Sequence, residues 1–459
     1  MNLFWRVALV FSFVFSFDST VAQQSVHFKK VGKRQGEYIV KLKERPSIFS
    51  FGQKGFLGKS RLSLKKALSS MQKIYLVKQS SSAGNDEQII KELASHGDVA
   101  YVEPNYIYHA SFGSRKPKPG PPPPFLPIPV EPEPAPAPAP TPPSEPTPLP
   151  PAEDPNAVLP NDPQLGNQWS MHNPSGASAY ASHAWNISTG SRDVVVAVVD
   201  SGVDYNHKDL KGNIWSGVVG GQNVKGYNAI TRAYDPMDDN SHGTHVAGVI
   251  GASTDNRIGI AGINWDVRIM PIKFLDRDGS GSTADAIAGI DWAVEHGANV
   301  MNMSWGGGGY SQALYESLQR AEAEGVVLVA AAGNESANND SVGSYPANYD
   351  VESMMSVAAS DSRDRMASFS NYGRTSVDLM APGVGILSTV PGHSYASYNG
   401  TSMASPHVAG AAALLLARYP SMTPAEVKDT IMKTVDKVSS AANFIISGGR
   451  LNIDKMIRY

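Results

Sequence analysis

The sequence predicts an α/β protein: a parallel sheet covered by helices on both faces, preceded by a small α+β module. Three observations carry this. From residue 161 onward, apolar β-rich runs without polar alternation are separated by helical stretches, the pattern of strands buried on both faces. Before that, residues 37–110 carry short alternating runs typical of an antiparallel sheet. Between the two, residues 116–160 read KPKPGPPPPFLPIPVEPEPAPAPAP and onward in the same vein, a composition that cannot bury a core. At 459 residues and 41% hydrophobic content the chain supports one large domain and a smaller one. A formal net charge of −3 gives no electrostatic case for nucleic acid or an anionic membrane as partner.

Taken in order, the chain opens with Arg6, an apolar run over residues 7–17 and the small-residue stretch Thr20-Val21-Ala22. This predicts a secretory signal peptide over residues 1–22, cleaved after Ala22, and an exported protein without a stable membrane span. With no cysteine, extracellular stability must come from packing or bound metal. Residues 37–42 (EYIVKL) alternate as a strand, 62–79 read as a helix running into a strand, 87–95 as an amphipathic helix, and 99–103 and 106–109 as extended chain. Two helices against a small antiparallel sheet are expected over residues 37–110. The proline-rich segment 116–160 is expected as a polyproline II spacer rising about 3.1 Å per residue, in preference to a docking ligand for an aromatic groove.

Over residues 161–459, strands are expected at 194–199, 267–274, 300–303, 326–331, 354–358 and 377–380. Helices are expected at 245–251, 283–296, 310–324, 402–418 and 423–433. In open parallel sheets the chemistry lies beyond the carboxyl ends of the strands. There, Val199-Asp200-Ser201-Gly202 ends a strand on a carboxylate, and Ser241-His242-Gly243-Thr244-His245 sets an imidazole at the entrance of a small-residue helix. Asn399-Gly400-Thr401-Ser402-Met403-Ala404 delivers a hydroxyl at the head of another. Ser402 or Thr401 alone reads as a helix cap, and His242, His245 and Asp239 alone could hold a metal. Together, Asp200, His242 and Ser402 supply what nucleophilic catalysis needs: a hydroxyl, a base to take its proton, and a carboxylate to orient the imidazole. Asn334, after a further strand in Ala331-Ala332-Gly333-Asn334-Glu335, offers an amide donor for an oxyanion. A non-catalytic adhesin or proline-rich scaffold would have no need of this set.

Through VVDSGVD, HGTHVAG, AAGNE and GTSMASPHVAG, residues 161–459 resemble the subtilisin-like serine proteases, the subtilases. The chain order of the triad, acid then base then nucleophile, is that family's own. The resemblance implies a serine endopeptidase acting on proteins and peptides, with Asp200 as orienting acid, His242 as general base, Ser402 as nucleophile and Asn334 in the oxyanion hole. It also implies a groove walled by Gly279, Ser280 and Gly281 on one side and Ser304, Trp305 and Gly306 on the other. Its first pocket would be floored by Gly333 and Ser344, with Glu335 near the rim, and would prefer large apolar residues. Asp162, Asp209, Thr254, Asn256, Ile258 and Ile260 match a calcium site of oxygen ligands. Asp235, Asp238, Asp239 and Asn240 could form a second such site, although an acidic loop is more often merely solvated. Residues 37–110 resemble the ferredoxin-like inhibitor (I9-type) pro-domain that accompanies the family, which implies an intramolecular chaperone and inhibitor whose tail, Tyr106 to Ala110, can enter the groove. A monomeric, autoprocessed zymogen is expected, first cut near His109 to Ser111 or within the spacer.

Overall fold

The structure, a computed structural model, describes residues 32–43, 57, 62–69, 73–79, 86–111, 157–173 and 176–459. The expected signal peptide and residues 112–156, which hold most of the proline-rich segment, lie outside the described residues.

The N-terminal module contains β1 (Lys33–Leu42), β2 (Leu62–Ser69), β3 (Ile74–Gln79), α1 (Asp86–Ala94) and β4 (Val99–Ala110). Its sheet is antiparallel in the order β4-β1-β3-β2. Tyr38, Val40, Leu57, Val77, Ile89, Leu93 and Val99 form the core under α1. Residues 62–69 correct the sequence reading: they are a strand, not a helix. LSLKKALS has good helix formers, but Leu68 and Ser69 are buried once β2 pairs with β3, and its lysines stay toward solvent and neighbouring acids. Long-range pairing outweighs local propensity here. Residues 99–110, read as two extended pieces, form one strand through Pro104.

The larger domain continues with α2 (Ala181–Ala184), β5 (Gly190–Asp200), the hairpin β6 (Gly217–Val219) and β7 (Gln222–Val224), and β8 (Tyr227–Asn228). Next come α3 (His242–Gly251), β9 (Asp266–Lys273), β10 (Ser280–Ser282), α4 (Thr283–Glu295), β11 (Val300–Met303) and β12 (Trp305–Gly307). There follow α5 (Gln312–Ala323), β13 (Val327–Ala331), β14 (Met355–Ser360), β15 (Leu379–Pro382) and the hairpin β16 (Ile386–Val390) and β17 (Ser394–Tyr398). The chain closes with α6 (Thr401–Arg418), α7 (Pro424–Lys433), β18 (Asp436–Lys437), β19 (Gly449–Arg450) and α8 (Ile453–Arg458).

The central sheet runs β18-β19-β15-β14-β13-β11-β5-β9-β8, parallel from β19 to β8 with β18 antiparallel at the edge. Its middle strand explains the unbroken apolar run. Val194, Val196 and Val198 of β5 pack beneath α3, α6, α7 and α8, whereas Val195, Ala197 and Val199 pack beneath α4 and α5. Both faces are dry, so alternation has no solvent side to register. The second of these cores also takes Ile39, Leu68, Ile74 and Leu76 from the N-terminal sheet, so that module lies over α4 and α5.

Candidate active site

Asp200 is the last residue of β5, with its side chain fully buried. The small residues of α3 let the helix start against that strand end. A Cβ on Gly243 would fall 2.1 Å from Gly202 O and 3.1 Å from Asp200 Cβ, so no larger residue fits there. This close approach puts the His242 Nδ1–H on Asp200, at 2.8 Å from Oδ1 and 3.0 Å from Oδ2. Asp238 holds the head of α3: its Oδ1 accepts from Asn240 N, Ser241 N and Ser201 Oγ, and its Oδ2 from Thr244 N and Thr244 Oγ1. All its acceptor capacity goes to positioning, which leaves none for the second metal loop suggested by the sequence. The sequence reading did not give Asp238 that role: the cap position itself is Ser241, and the Ser201 partner comes from another segment.

Neither Thr401 nor Ser402 caps α6. The cap position is Gly400, without a side-chain cap bond. The Ser402 hydroxyl instead donates to Ser304 O at 2.7 Å. Pro406 lies four residues on and has no N–H, so the Ser402 carbonyl is released from the helical ladder; it accepts Ser304 Oγ at 2.9 Å. This reciprocal pair ties the head of α6 to the end of β11. Beside it, Asn334 Oδ1 accepts from Thr401 N (2.9 Å) and Thr401 Oγ1 (3.1 Å). The amide orientation is thereby set, and Asn334 Nδ2 is a buried donor without an acceptor among the described residues. The Ser402 N–H belongs to the first turn of α6, whose donors have no intrahelical acceptor.

The two groove walls lie on either side of β4. Ser280, Gly281 and Ser282 pair antiparallel with His109, Tyr108 and Ile107, and Trp305, Gly306 and Gly307 with Ala110, His109 and Tyr108. Gly279 joins the first wall by accepting Ala110 N–H. Tyr108 is fully buried against Trp305 (5.1 Å between ring centroids), and its hydroxyl donates to Gly309 O at 3.1 Å. Ser344 lies next to Gly306, and Gly333 N donates to Thr401 Oγ1 at 3.2 Å. Glu335 is exposed and accepts from Asn334 N and Asn371 Nδ2.

The oxygen-rich set also converges. Asp209 accepts from Asn256 Nδ2 and Ile260 N, and Asp162 Oδ2 from Asp255 N, while Asp162 Oδ1 is buried without a partner among the described residues. Burial raises the pKa of both carboxylates, and their mutual repulsion adds to this at Asp162. Asn256 Oδ1 is taken by Ile258 N and Thr254 Oγ1 donates to Ala252 O, so these two brace the loop. The chemistry suits a hard divalent cation: two buried carboxylates, an orphaned oxygen and a loop of carbonyls. The reading of His242, His245 and Asp239 as a zinc site fails on geometry. The His245 Nε2–H donates to Ile386 O and Ala396 O, burial pushes that imidazole down to about 3, and Asp239 pairs with Lys273 Nζ.

A parallel α/β sheet with a carboxylate–imidazole pair at one strand end, a hydroxyl at a helix head and an open-edged peptide groove defines the class of α/β serine peptidases. The comparisons agree. Residues 191–449 match the subtilase family. Thermophilic serine proteinase from Bacillus sp. (strain AK1) is 37% identical over 377 residues, covering 82% of this chain and 77% of that protein. Subtilisin J from Geobacillus stearothermophilus is 34% identical, with 97% of each chain covered. Among solved structures, fervidolysin from Fervidobacterium pennivorans, described as a keratinolytic enzyme related to subtilisin, superposes with a TM-score of 0.72 at 27% identity. That match covers 94% of this chain and 62% of fervidolysin. The chain belongs to the subtilase family and is a subtilisin-like serine endopeptidase.

Proposed function

We propose that this endopeptidase is made as an exported, autoprocessed zymogen that acts through Asp200, His242 and Ser402. The observation that carries the reading is that β4, an extended strand of the chain itself, fills the groove between β10 and β12 and leads to Ser402. A substrate peptide would take the same path, its main chain bonded to Gly279, Gly281 and Gly306. The Ser402 hydroxyl attacks the carbonyl carbon while His242 takes its proton, and Asp200 keeps the imidazole oriented and stabilises its charged form. The Asn334 amide and the Ser402 N–H receive the oxyanion. His242 then protonates the leaving amine, and water completes hydrolysis of the acyl-enzyme.

Gly306, Gly333 and Ser344 give the first pocket small walls, which supports a preference for large apolar residues. Asp162, Asp209 and the 254–260 loop would hold calcium, which would supply positive charge to two buried carboxylates and no catalytic step. The N-terminal module acts as chaperone and inhibitor, and Ala22 remains the proposed end of the signal peptide. Among the described residues no helix is long and apolar enough to cross a membrane.

A fluorophosphonate probe on the processed enzyme tests the core of this reading. Wild type should be labelled on Ser402 and inactivated, whereas Ser402→Ala should be neither labelled nor active. Labelling elsewhere with loss of activity would remove Ser402 from its role. A peptide-library profile dominated by acidic residues at the first position would remove the pocket assignment.

A further inference from the structure

β4 runs past the edge of its own sheet and continues, one hydrogen bond at a time, toward Ser402. Ala110 N–H donates to Gly279 O at 2.9 Å, and Ser111 N–H to Ser304 O at 3.3 Å. Ser304 O is the carbonyl that also accepts the Ser402 hydroxyl, at 2.7 Å. In extended chain the N–H and C=O of one residue point to the same side and the carbonyl of the residue before it points to the other, so the Ser111 carbonyl follows its N–H toward Ser304 and Ser402 while the Ala110 carbonyl turns away. The carbonyl that the strand presents beside Ser402 is therefore that of Ser111.

The side chains hold this register. Ser111 Oγ lies 3.5 Å from where a Cβ on Gly306 would sit, and Ser344 Oγ lies 3.3 Å from the same point. Ser111 thus faces the small-walled first pocket. Upstream, the Tyr108 ring fills a cavity made by Trp305, Gly308 and Gly309. A Cβ on Gly308 would approach that ring to 2.4 Å, and the glycine's φ of +60° already disfavours any other residue. Sliding the strand by one residue would turn His109 or Ile107 toward the cavity and Tyr108 away from it, because neighbouring side chains point to opposite faces.

We propose that the chain cuts itself at the bond on the carboxyl side of Ser111, so that the processed enzyme begins at Phe112 and keeps residues 112–160 as an N-terminal extension. The proposal rests on Ser402 being the nucleophile. Ser402 Oγ bonds to the Ser111 carbonyl carbon as its proton passes to His242. The Ser111–Phe112 bond breaks, with that proton going to the Phe112 nitrogen. Water then cleaves the ester to leave a Ser111 carboxylate, a Phe112 amine and a restored Ser402 hydroxyl.

The test is a time course of the full-length precursor, with intact mass of the released pro-fragment and N-terminal sequencing of the larger product at the earliest time that cleavage is seen. A fragment ending at Ser111 with a partner starting at Phe112 is expected. Ser111→Pro, which removes the N–H held by Ser304 O, should slow that cut at least tenfold. An earliest cut after Ala110, or within 116–160, by an enzyme that still digests casein would overturn the proposal while leaving Ser402 in place. A wild type that cuts neither itself nor casein, and is not labelled at Ser402, would instead overturn the underlying reading. Full-rate cleavage after Ser111 in Ser402→Ala purified alone would overturn self-processing.

Discussion

Removing the Asn334 amide isolates the electrostatic part of the reaction. Its Oδ1 is committed to Thr401, and its Nδ2 is a buried donor without an acceptor among the described residues. Such a group costs roughly 1–3 kcal/mol unless something accepts from it. A developing oxyanion would do so in the transition state and a ground-state carbonyl much less, so the loss should fall on kcat. Asn334→Ala is expected to lower kcat by about 100- to 1000-fold, a range taken from subtilisin's own oxyanion asparagine, with KM changed little. Steady-state kinetics on a peptide substrate measure this, and an unchanged kcat would exclude Asn334. At this scale the sequence was most informative: Asp200, His242, Asn334 and Ser402 each follow a strand or open a helix in short, distinctive motifs. Asp238 was read only as part of an acidic loop and Pro406 was given no role, because what each does depends on which partner folding brings to it. One supports the head of α3, and the other frees a carbonyl for Ser304.

Two helices of the catalytic domain donate first-turn N–H groups to acceptors in the N-terminal module, beside their own serine caps. Glu103 accepts from Ser311 Oγ at 2.5 Å, Gln312 N at 2.8 Å and Ala313 N at 3.4 Å at the start of α5, and Asn105 Oδ1 from Ala284 N at 3.0 Å at the start of α4. The sequence reading placed Glu103 and Asn105 within the N-terminal module, but a cap that crosses between domains leaves no local signature. The same holds for β2, whose helix-like composition hid a strand with Lys66 paired to Asp285 of α4. Burial pushes the Glu103 carboxyl up from 4.5 to about 7, against the lowering effect of its hydrogen bonds; Glu316, itself paired with Lys41 and bonded by Tyr101, adds to the rise. Docking therefore favours the protonated form. Its contribution is complete below 4.5 and is lost as pH rises through about 7, at no more than about one decade in affinity per pH unit. The processed complex should release its N-terminal module more readily at pH 8 than at pH 5, and Glu103→Gln should flatten the difference. The lag before activity appears after processing measures this; a longer lag at pH 8 than at pH 5 would reverse the argument.

For the whole molecule, the question is what replaces disulfides in a chain without cysteine. The start of the catalytic domain is stitched to a single loop. Arg257 N donates to Asn161 Oδ1, Asp255 N to Asp162 Oδ2 and Gln164 N to Gly259 O, and the same loop reaches Asp209 through Asn256 and Ile260. Burial raises the pKa of Asp162 and Asp209. Without a cation the folded state therefore holds protons more tightly at these sites than the unfolded chain does, and it loses stability as pH climbs above their ordinary 3.8. A divalent cation bound only to the folded form reverses that loss. At a free concentration about 100 times its Kd it adds roughly 2.7 kcal/mol, or about 5–10 °C in Tm for a domain of this size. Chelation with EGTA should lower Tm by that amount at pH 8, and the drop should shrink toward pH 4 as protons compete for the carboxylates. Asp209→Asn should abolish the calcium-dependent increment while leaving the chelated Tm close to that of the chelated wild type. A Tm indifferent to chelation at pH 8 would mean that these two acids are held by the loop's own N–H groups, and that the stitching at Asn161, Asp162 and Gln164 is sufficient without an ion.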